Sequence, residues 1–386
     1  MRKILLITVL LPLAAALAWW YLHERTFPDY GPAYREYAYV TNGKSNTVSV
    51  IDLRTYQPVK TLTVGSEPTG LAANSRKNEI YVVNSGSNNV SIIDAEKNQV
   101  AATLGVHGKP YFIDVAADGK RAYVANSASA NVSVIDLEKR AVVGTVRVGG
   151  APGLARVSRD GRTVVVSNRT DNSVSILDTN KMAVRATIPV CEHPEDIAIL
   201  PDSSKAFVAC TGSVQVASID LKADKVLALL EVGKTPVNLA LKPDGGELIV
   251  CNFDSDNISI IETTTNEVSG SYLIGTKPSR AVISADNARL YVSNFGSNTV
   301  AVYDIDYGKL IAILPVGSAP DALALSMNQN YVLVLDSESG DVTVMQKRKP
   351  TRLEPSEYSL LTMIPVGVQP NNIVVKSFLM IKPGAK

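Results

Sequence analysis

The stretch that decides the fold runs from Tyr39 to Asp52 and reads YVTNGKSNTVSVID. It contains two runs rich in apolar and β-branched residues around a short polar turn, which is typical of two antiparallel strands. The first run recurs along the chain, and its last residue falls at positions 42, 84, 126, 168, 210, 252, 294 and 336. The chain therefore repeats every 42 residues without a slip, and such a period predicts a repeat architecture.

Two further landmarks keep the same period. The second run ends in an acidic residue in most units, beginning with Asp52. A Val-Gly-x-x-Pro segment or a close variant follows, with prolines at 68, 110, 152, 194, 236, 278, 320 and 370. An Asp-Gly turn such as Asp118-Gly119 marks a further hairpin. Each unit is therefore predicted to form four short antiparallel strands, which is the composition of a propeller blade.

Tyr39–Asn42 and the Asn-Thr-Val-Ser-Val-Ile-Asp that follows resemble the YVTN family of β-propeller repeats, which includes YncE-like periplasmic proteins and surface-layer proteins. The resemblance covers residues 38 to about 375. It implies an all-β propeller, and it implies no particular reaction because members of this family share a fold more than a chemistry.

Blade counting favours eight four-stranded blades, with seven blades and a decorated end as the alternative. The chain enters the repeat at a second strand and leaves after one more first strand, Asn371 to Val375. This last strand is expected to complete the first blade and close the ring. The single propeller domain is predicted over residues 38–376, followed by a tail over 377–386.

The N-terminal residues predict export. Three residues, Met1 to Lys3, give a basic start, and residues 4–22 carry no charge, which suits either a membrane anchor or a cleaved secretory signal. We assign residues 1–26 to this leader and 27–37 to a tether. The body is then expected in the periplasm or at the cell surface, attached to the membrane through the N-terminal segment.

Composition narrows the function classes. The 386 residues carry 38 basic and 37 acidic side chains, a net charge of +1, whereas proteins dedicated to polyanions usually show a basic excess. Nucleic-acid binding is therefore not expected. The three cysteines show no CxxC spacing, so zinc-ribbon and c-type haem sites are not expected either. No cofactor is predicted, and a monomer is expected.

The face that bears the Val-Gly-x-x-Pro loops is the predicted site. On the innermost strand, the second and fourth residues after each proline should face the central channel. Polar residues are few at these positions and at the adjoining rim, which makes them the ligand-binding candidates. The competing explanation is that they pair with one another and with channel water. The candidates are Asp114, Arg156, Glu195, Asp196, Asn238, Arg280, Asp321 and Asn372.

Two histidines and two cysteines lie at irregular positions of the repeat. His107 and His193 fall in Val-Gly-x-x-Pro loops and are weak candidates for a metal or haem ligand or an acid–base group; exposed loop residues are the alternative. Cys191 and Cys210 replace the glycine and the asparagine of one unit. An exported protein meets oxidising conditions, so these two are predicted to form a disulfide, which leaves Cys251 free.

One unit is longer than the others. Its extra residues fall between Val344 and Leu360 and include Lys347 to Arg352. This basic hairpin is expected on the face opposite the channel mouth, where it could touch anionic lipid or a partner, although such charge runs are usually solvated.

The leading functional hypothesis is a binding or scaffold module for a small ligand or a protein partner at the channel mouth. The sequence contains no nucleophile elbow, metal-spaced cluster or phosphate loop. The alternative is an enzyme that uses the channel mouth, so the sequence leaves open whether the protein catalyses a reaction. It could be a metal-dependent hydrolase or lactonase, or a haem d1-like redox propeller with an axial histidine. The carboxylates of the hydrolase would be Asp114, Glu195, Asp196 and Asp321.

Overall fold

The computed structural model describes residues 31–350 and 356–380. These residues form thirty-two strands, arranged in eight four-stranded antiparallel sheets, and one short 3-10 helix, Phe253–Ser255. The predicted eight-bladed β-propeller is confirmed, and the seven-bladed alternative is wrong. We number blades 1 to 8 along the chain and label the strands of each blade from the channel outward.

The innermost strand of every blade begins at a proline and lies beside the innermost strand of the next blade. Proline suits this first position because it has no amide hydrogen to donate to the sheet. These strands surround the channel: β4 (Pro68–Ala73), β8 (Pro110–Val115), β12 (Pro152–Val157), β16 (Pro194–Ile199), β20 (Pro236–Leu241), β24 (Pro278–Ile283), β28 (Pro320–Leu325) and β32 (Pro370–Leu379).

The second and third strands form the buried body of each blade, because both of their faces pack against neighbouring blades. The second strands are β1 (Tyr34–Asn42), β5 (Glu79–Asn84), β9 (Arg121–Asn126), β13 (Thr163–Asn168), β17 (Lys205–Cys210), β21 (Glu247–Asn252), β25 (Arg289–Asn294) and β29 (Tyr331–Asp336). The third strands are β2 (Thr47–Asp52), β6 (Asn89–Asp94), β10 (Asn131–Asp136), β14 (Ser173–Asp178), β18 (Gln215–Asp220), β22 (Asn257–Glu262), β26 (Thr299–Asp304) and β30 (Asp341–Lys347).

The outermost strands are the most exposed of each blade, and several of them, such as Gln99–Gly105 and Ala183–Pro189, alternate between exposed and partly buried residues, as edge strands do. A register shift separates the two halves of each pairing between a third and an outermost strand, as between Val50 and Ile51. The outermost strands are β3 (Gln57–Thr63), β7 (Gln99–Gly105), β11 (Ala141–Arg147), β15 (Ala183–Pro189), β19 (Lys225–Glu231), β23 (Glu267–Leu273), β27 (Lys309–Pro315) and β31 (Tyr358–Pro365).

Blade 1 closes the ring with strands from both ends of the repeat. Its sheet has the order β3-β2-β1-β32, which confirms the predicted closure by the C-terminal strand. The amide of Gly43 donates to the carbonyl of Gln369 at 3.0 Å, and the amide of Gly367 donates to Asn42 Oδ1 at 3.0 Å. Strand β1 begins before, and β32 ends after, the predicted limits of 38 and 376.

Residues 36–377 form one compact unit. Residues 31–35 and 378–380 belong to a second unit, in which the amide of Met380 donates to the carbonyl of Ala33. Within the described ranges, no helix is long and apolar enough to cross a membrane. The predicted leader (1–26), residues 27–30 of the tether, residues 351–352 of the basic hairpin and residues 381–386 lie outside the described residues.

An asparagine at the end of the second strand organises the channel-mouth end of most blades. In blade 3, Asn126 Nδ2 donates to Asn131 Oδ1 at 2.8 Å and to Ser133 Oγ at 2.9 Å. The amide of Ser127, the next residue, donates to the carbonyl of Lys109 in the Val-Gly-x-x-Pro loop. The two kinds of loop therefore meet on one face, as the repeat predicts.

Candidate functional site

The channel mouth is formed by eight loops of one conformation. The residue before each proline has a positive φ between 46° and 56°. The loop backbones thus repeat, and the blades differ at the mouth mainly in their side chains. These positive-φ residues are Glu67, Lys109, Ala151, His193, Thr235, Lys277, Ala319 and Gln369. We use "channel mouth" for these loops, the first residues after each proline, and the residue that follows each second strand.

Asp196 and Asn238 link innermost strands of neighbouring blades. Asp196 Oδ2 accepts hydrogen bonds from the amide of Leu239 and from Asn238 Nδ2, both at 2.9 Å. Asn238 Oδ1 accepts from the amide of Ala281 at 2.8 Å. The two side chains are 4% and 8% exposed. They therefore join blades 5, 6 and 7, which fits the explanation by mutual pairing better than a ligand contact.

Asp114 has a similar place between blades 3 and 4. Its Oδ2 accepts from the amide of Val157 at 2.9 Å, and its Oδ1 accepts from the amide of Val115 at 3.1 Å. Burial raises the pKa of Asp114, and the nearby charge of Arg156 opposes that rise. The Arg156 guanidinium lies 4.5 Å from the Phe112 ring centre. Its Nη2 lies 3.9 Å from Asp196 Oδ1.

The Asn372 side chain is also engaged by the backbone, because its Oδ1 accepts a hydrogen bond from the amide of Ile373 at 2.9 Å. Of the eight predicted candidates, Asp114, Asp196, Asn238 and Asn372 thus use side-chain oxygens within or between innermost strands. Whether any of these four also binds a ligand remains a prediction.

Glu195 belongs to a rim cluster that includes a residue missed by the sequence reasoning, Arg169. The Arg169 guanidinium lies 4.4 Å from the Tyr111 ring centre, and its Nη1 lies 3.4 Å from Glu195 Oε2. Arg169 Nη2 also donates to Ser127 Oγ at 3.0 Å. Burial raises the pKa of Glu195, and Arg169 opposes the rise. The cluster joins blades 3, 4 and 5.

Arg169 occupies the position directly after a second strand, where several units have glycine, serine or threonine. Two further units also depart from small residues there, with Phe253 and Phe295. Their ring centres lie 5.8 Å apart, and Lys277 Nζ lies 5.2 Å from the centre of Phe253. A large residue at this otherwise small position was the sequence signal that could have identified Arg169, Phe253 and Phe295. It marks a second group of aromatic and cationic side chains, on blades 6 and 7.

Arg280 has the most available charge among the predicted candidates. Its residue is exposed, and within the described part of the chain its guanidinium makes no ion pair or hydrogen bond. Burial raises the pKa of Asp321 in the next blade, and the positive charge of Arg280 opposes that rise. Arg280 also lowers the otherwise raised pKa of Tyr111. The positive charge of Arg280 therefore acts on titratable side chains of other blades.

The structure separates the two histidines. His193 Nδ1 lies 3.0 Å from Thr211 Oγ1, at the mouth, and the charge of His193 favours ionised Glu195. No described residue forms a hydrogen bond with His193 Nε2. His107 Nε2 instead lies 3.0 Å from Thr145 Oγ1 on the outermost strand β11, which directs it away from the channel. Of the two histidines, His193 thus lies at the mouth, and a ligand role for either stays a prediction.

Cys191 and Cys210 are joined by a disulfide in the structure, with a Cα–Cα distance of 5.7 Å. Cys251 is a free thiol, fully buried, and burial raises its pKa to about 12. The described residues contain no group of three or more histidine, cysteine, aspartate or glutamate side chains that could hold a metal ion.

Comparisons with known proteins support the propeller fold. The family described as Cytochrome D1 heme domain matches residues 74–211, and the family described as Lactonase, 7-bladed beta-propeller, matches residues 263–358. Each match spans less than half of the chain. No curated protein matches this chain.

Two solved structures are similar to this chain. Kuenenia stuttgartiensis hydrazine synthase is 21% identical with a TM-score of 0.60, covering 72% of this chain and 95% of that chain. Dihydro-heme d1 dehydrogenase NirN in complex with DHE is 12% identical with a TM-score of 0.72. That likeness covers 88% of this chain and 74% of the other chain. At these identities the likeness shows the fold alone. The chain is an eight-bladed β-propeller with partial matches to a haem-domain family and a lactonase family.

Proposed function

We propose that the channel mouth binds an acidic, planar macrocycle of the tetrapyrrole class, and that the protein is a haem d1-like propeller enzyme. The observation that carries the proposal is the exposed guanidinium of Arg280, which has no acidic partner among the described residues. A guanidinium in such a site suits the carboxylate substituents of a ring ligand. The match of residues 74–211 to a haem-domain family supports the same ligand class.

The mouth residues fit such a group in three respects. Tyr111, which packs against Arg169, and the Phe253–Phe295 pair place partly exposed aromatic rings at the mouth, where a flat ring could pack. Arg280 would hold the carboxylates of such a ring. His193 Nε2 has no hydrogen-bond partner among the described residues while Thr211 contacts Nδ1, so His193 would hold the iron of such a group through Nε2. When bound, an iron macrocycle would supply one-electron redox chemistry.

The protein's own contribution is binding, orientation and proton handling. Arg169 is held by Glu195, Ser127 and the carbonyl of Ala151, so its charge is already paired and its role is to fix the rim. Burial raises the pKa of Glu195, so this carboxyl holds a proton more readily than an ordinary glutamate does.

A metal-dependent lactonase is the second candidate, supported by the match over residues 263–358. Three of its four predicted carboxylates are less available than Arg280 and His193, and Asp321 alone has no partner among the described residues. Asp114 and Asp196 accept hydrogen bonds from backbone amides, and Glu195 forms an ion pair with Arg169. The geometry therefore favours the tetrapyrrole ligand.

The test uses the full chain and two probes, hemin and iron-free protoporphyrin IX, titrated by absorbance and fluorescence. We expect both to bind and Arg280→Ala to weaken both by about tenfold, since a charge-assisted hydrogen bond is worth about 1.5 to 3 kcal/mol. His193→Ala should weaken hemin and change its spectrum while leaving protoporphyrin IX binding intact.

Arg140→Ala is the matched control, because Arg140 is a surface arginine paired with Glu79 and lies far from the mouth in the repeat. It should bind both probes like the wild type. Failure of both probes to bind, or an Arg280→Ala variant that binds like the wild type, would contradict the proposal. Metal-dependent lactone hydrolysis without probe binding would favour the second candidate.

A further inference from the structure

The loop of blade 5, which carries His193 and Glu195, is attached to its sheet differently from the loops of most other blades. In blade 4, Gly149 packs directly on Asn168: a Cβ atom on the glycine would lie 2.8 Å from the asparagine Cβ. The Gly149 amide donates to Asn168 Oδ1 at 3.1 Å. The same two residue types meet in four other blades, as Gly367 with Asn42, Gly65 with Asn84, Gly233 with Asn252, and Gly275 with Asn294.

In blade 5 both positions are cysteine, and the disulfide takes the place of this glycine–asparagine contact. Cys191 is 6% exposed and Cys210 is fully buried. The asparagine's bonds to the third strand are lost as well, because the positions of its usual partners hold Gln215 and Ala217. The covalent bond therefore replaces a whole set of side-chain hydrogen bonds.

The disulfide brackets the mouth groups of blade 5 from both sides. His193 comes two residues after Cys191, and its ring contacts Thr211, which directly follows Cys210. Glu195 comes two residues later and pairs with Arg169 of blade 4. A displacement of either cysteine would thus move His193 relative to Thr211.

We propose that the Cys191–Cys210 disulfide positions His193 and Glu195 at the channel mouth, and that tight binding of the ring ligand depends on this bond. The ligand half of the inference rests on the proposed function. The positioning half is a property of the ligand-free protein, because it concerns where the loop is held. Both cysteines are positioning residues and touch no ligand themselves.

Two variants of the full chain test the positioning. Cys191→Ser with Cys210→Ser removes the bond. Cys191→Gly with Cys210→Asn also removes it but supplies the glycine–asparagine pair of the other blades, and Gln215→Asn with Ala217→Ser in the same chain supplies the usual partners of that asparagine, which makes it the matched control. Thiol counting on the unfolded, unreduced wild type comes first: one reactive thiol, Cys251, is expected, and three would overturn the inference.

Amide hydrogen exchange of residues 191–197, measured without ligand, is the first readout. We expect about tenfold faster exchange in the serine variant, since a loop that opens locally exchanges more readily, and near wild-type exchange in the glycine–asparagine variant. The corresponding loop of blade 2, residues 65–71, should not change in either. Unchanged exchange in the serine variant, or equal acceleration in blade 2, would overturn the positioning.

Hemin affinity is the second readout. The serine variant should bind about tenfold more weakly than the wild type, and the glycine–asparagine variant about as well. With His193→Ala already present, loss of the disulfide should change affinity less than about twofold, because its effect acts through His193. Wild-type-like hemin binding by the serine variant would overturn the ligand half. If the wild type itself binds no hemin, the proposed function fails and exchange alone decides the positioning half.

Discussion

At the scale of single residues, Asp336 shows what the asparagine at the end of the second strand contributes. In blade 8 this position and its partner on the third strand are both acidic, Asp336 and Asp341, and they pair directly across the sheet. Thr343 Oγ1 donates to Asp336 Oδ2 at 2.6 Å. Burial, reinforced by the carboxyl of Asp341, raises the pKa of Asp336 to about 8. The carboxyl therefore keeps its proton in the folded protein near neutral pH.

This raised pKa has a definite consequence for stability. Between about pH 4 and pH 8 the folded state binds a proton that the unfolded state releases, so the free energy of unfolding falls as pH rises through this range. Asp336→Asn restores the amide of the other blades and removes the titration. We expect the variant to be more stable than the wild type by about 1 to 3 kcal/mol at pH 8.5, with a smaller gain at pH 5.

Urea unfolding at the two pH values measures this difference. Asp306→Asn, at an exposed position, is the control and should leave the stability unchanged within about 0.5 kcal/mol. A gain that is equal at both pH values, or a loss at pH 8.5, would contradict the account of Asp336.

At the scale of strands, the innermost strands are joined by side chains as well as by apolar packing. Asp196 accepts hydrogen bonds from the amides of Ile197 and Leu239 and from Asn238 Nδ2. Asp196→Ala should therefore destabilise the propeller by about 2 to 4 kcal/mol, because it leaves buried donors without acceptors.

Asp321→Ala is the matched control for this strand-level effect. Asp321 lies at the adjacent rim position of blade 8, and its carboxylate has no hydrogen bond to a described residue. We expect no loss of stability from it. Chemical unfolding of both variants decides the point, and equal stabilities would show that the bonds of Asp196 contribute little.

The sequence predicted the strands and their order because each 42-residue unit repeats the same turn residues and apolar runs. Strand alternation also identified Asp196 and Asn238 as inward-facing. Alternation could not show that backbone amides of the next blade donate hydrogen bonds to the side-chain oxygens of these two residues. The relative position of neighbouring innermost strands is set by the packing of the whole ring. Arg169 was missed because it lies in a loop, where alternation gives no direction for a side chain.

At the scale of the whole molecule, one pairing closes the ring: β32 completes the sheet of blade 1. Ending the chain at Val368 removes β32 and leaves β1 with an unpaired edge beside an exposed apolar core. We expect aggregation, or a melting temperature lower by more than about 10 °C. The control ends the chain at Met380 and keeps all of β32; it should melt like the full chain. A Val368 truncation that melts within about 2 °C of the full chain would contradict the role of closure.

The channel mouth is itself a product of the closed ring. Tyr111 and Arg169 come from blades 3 and 4, His193 and Glu195 from blade 5, and Arg280 from blade 7. They share one face because the antiparallel strand order of every blade brings the loop before the first strand and the loop after the second strand to the same end. A ligand that contacts all of them would have to span several blades.

A tetrapyrrole site at the channel mouth is tested most directly by the absorbance spectrum of the full-length protein purified from its native host, before and after addition of hemin. We expect either an intense visible band from a retained macrocycle or saturable uptake of one hemin, and in both cases a spectrum altered by His193→Ala. A protein that is colourless as purified and leaves the spectrum of added hemin unchanged would contradict it.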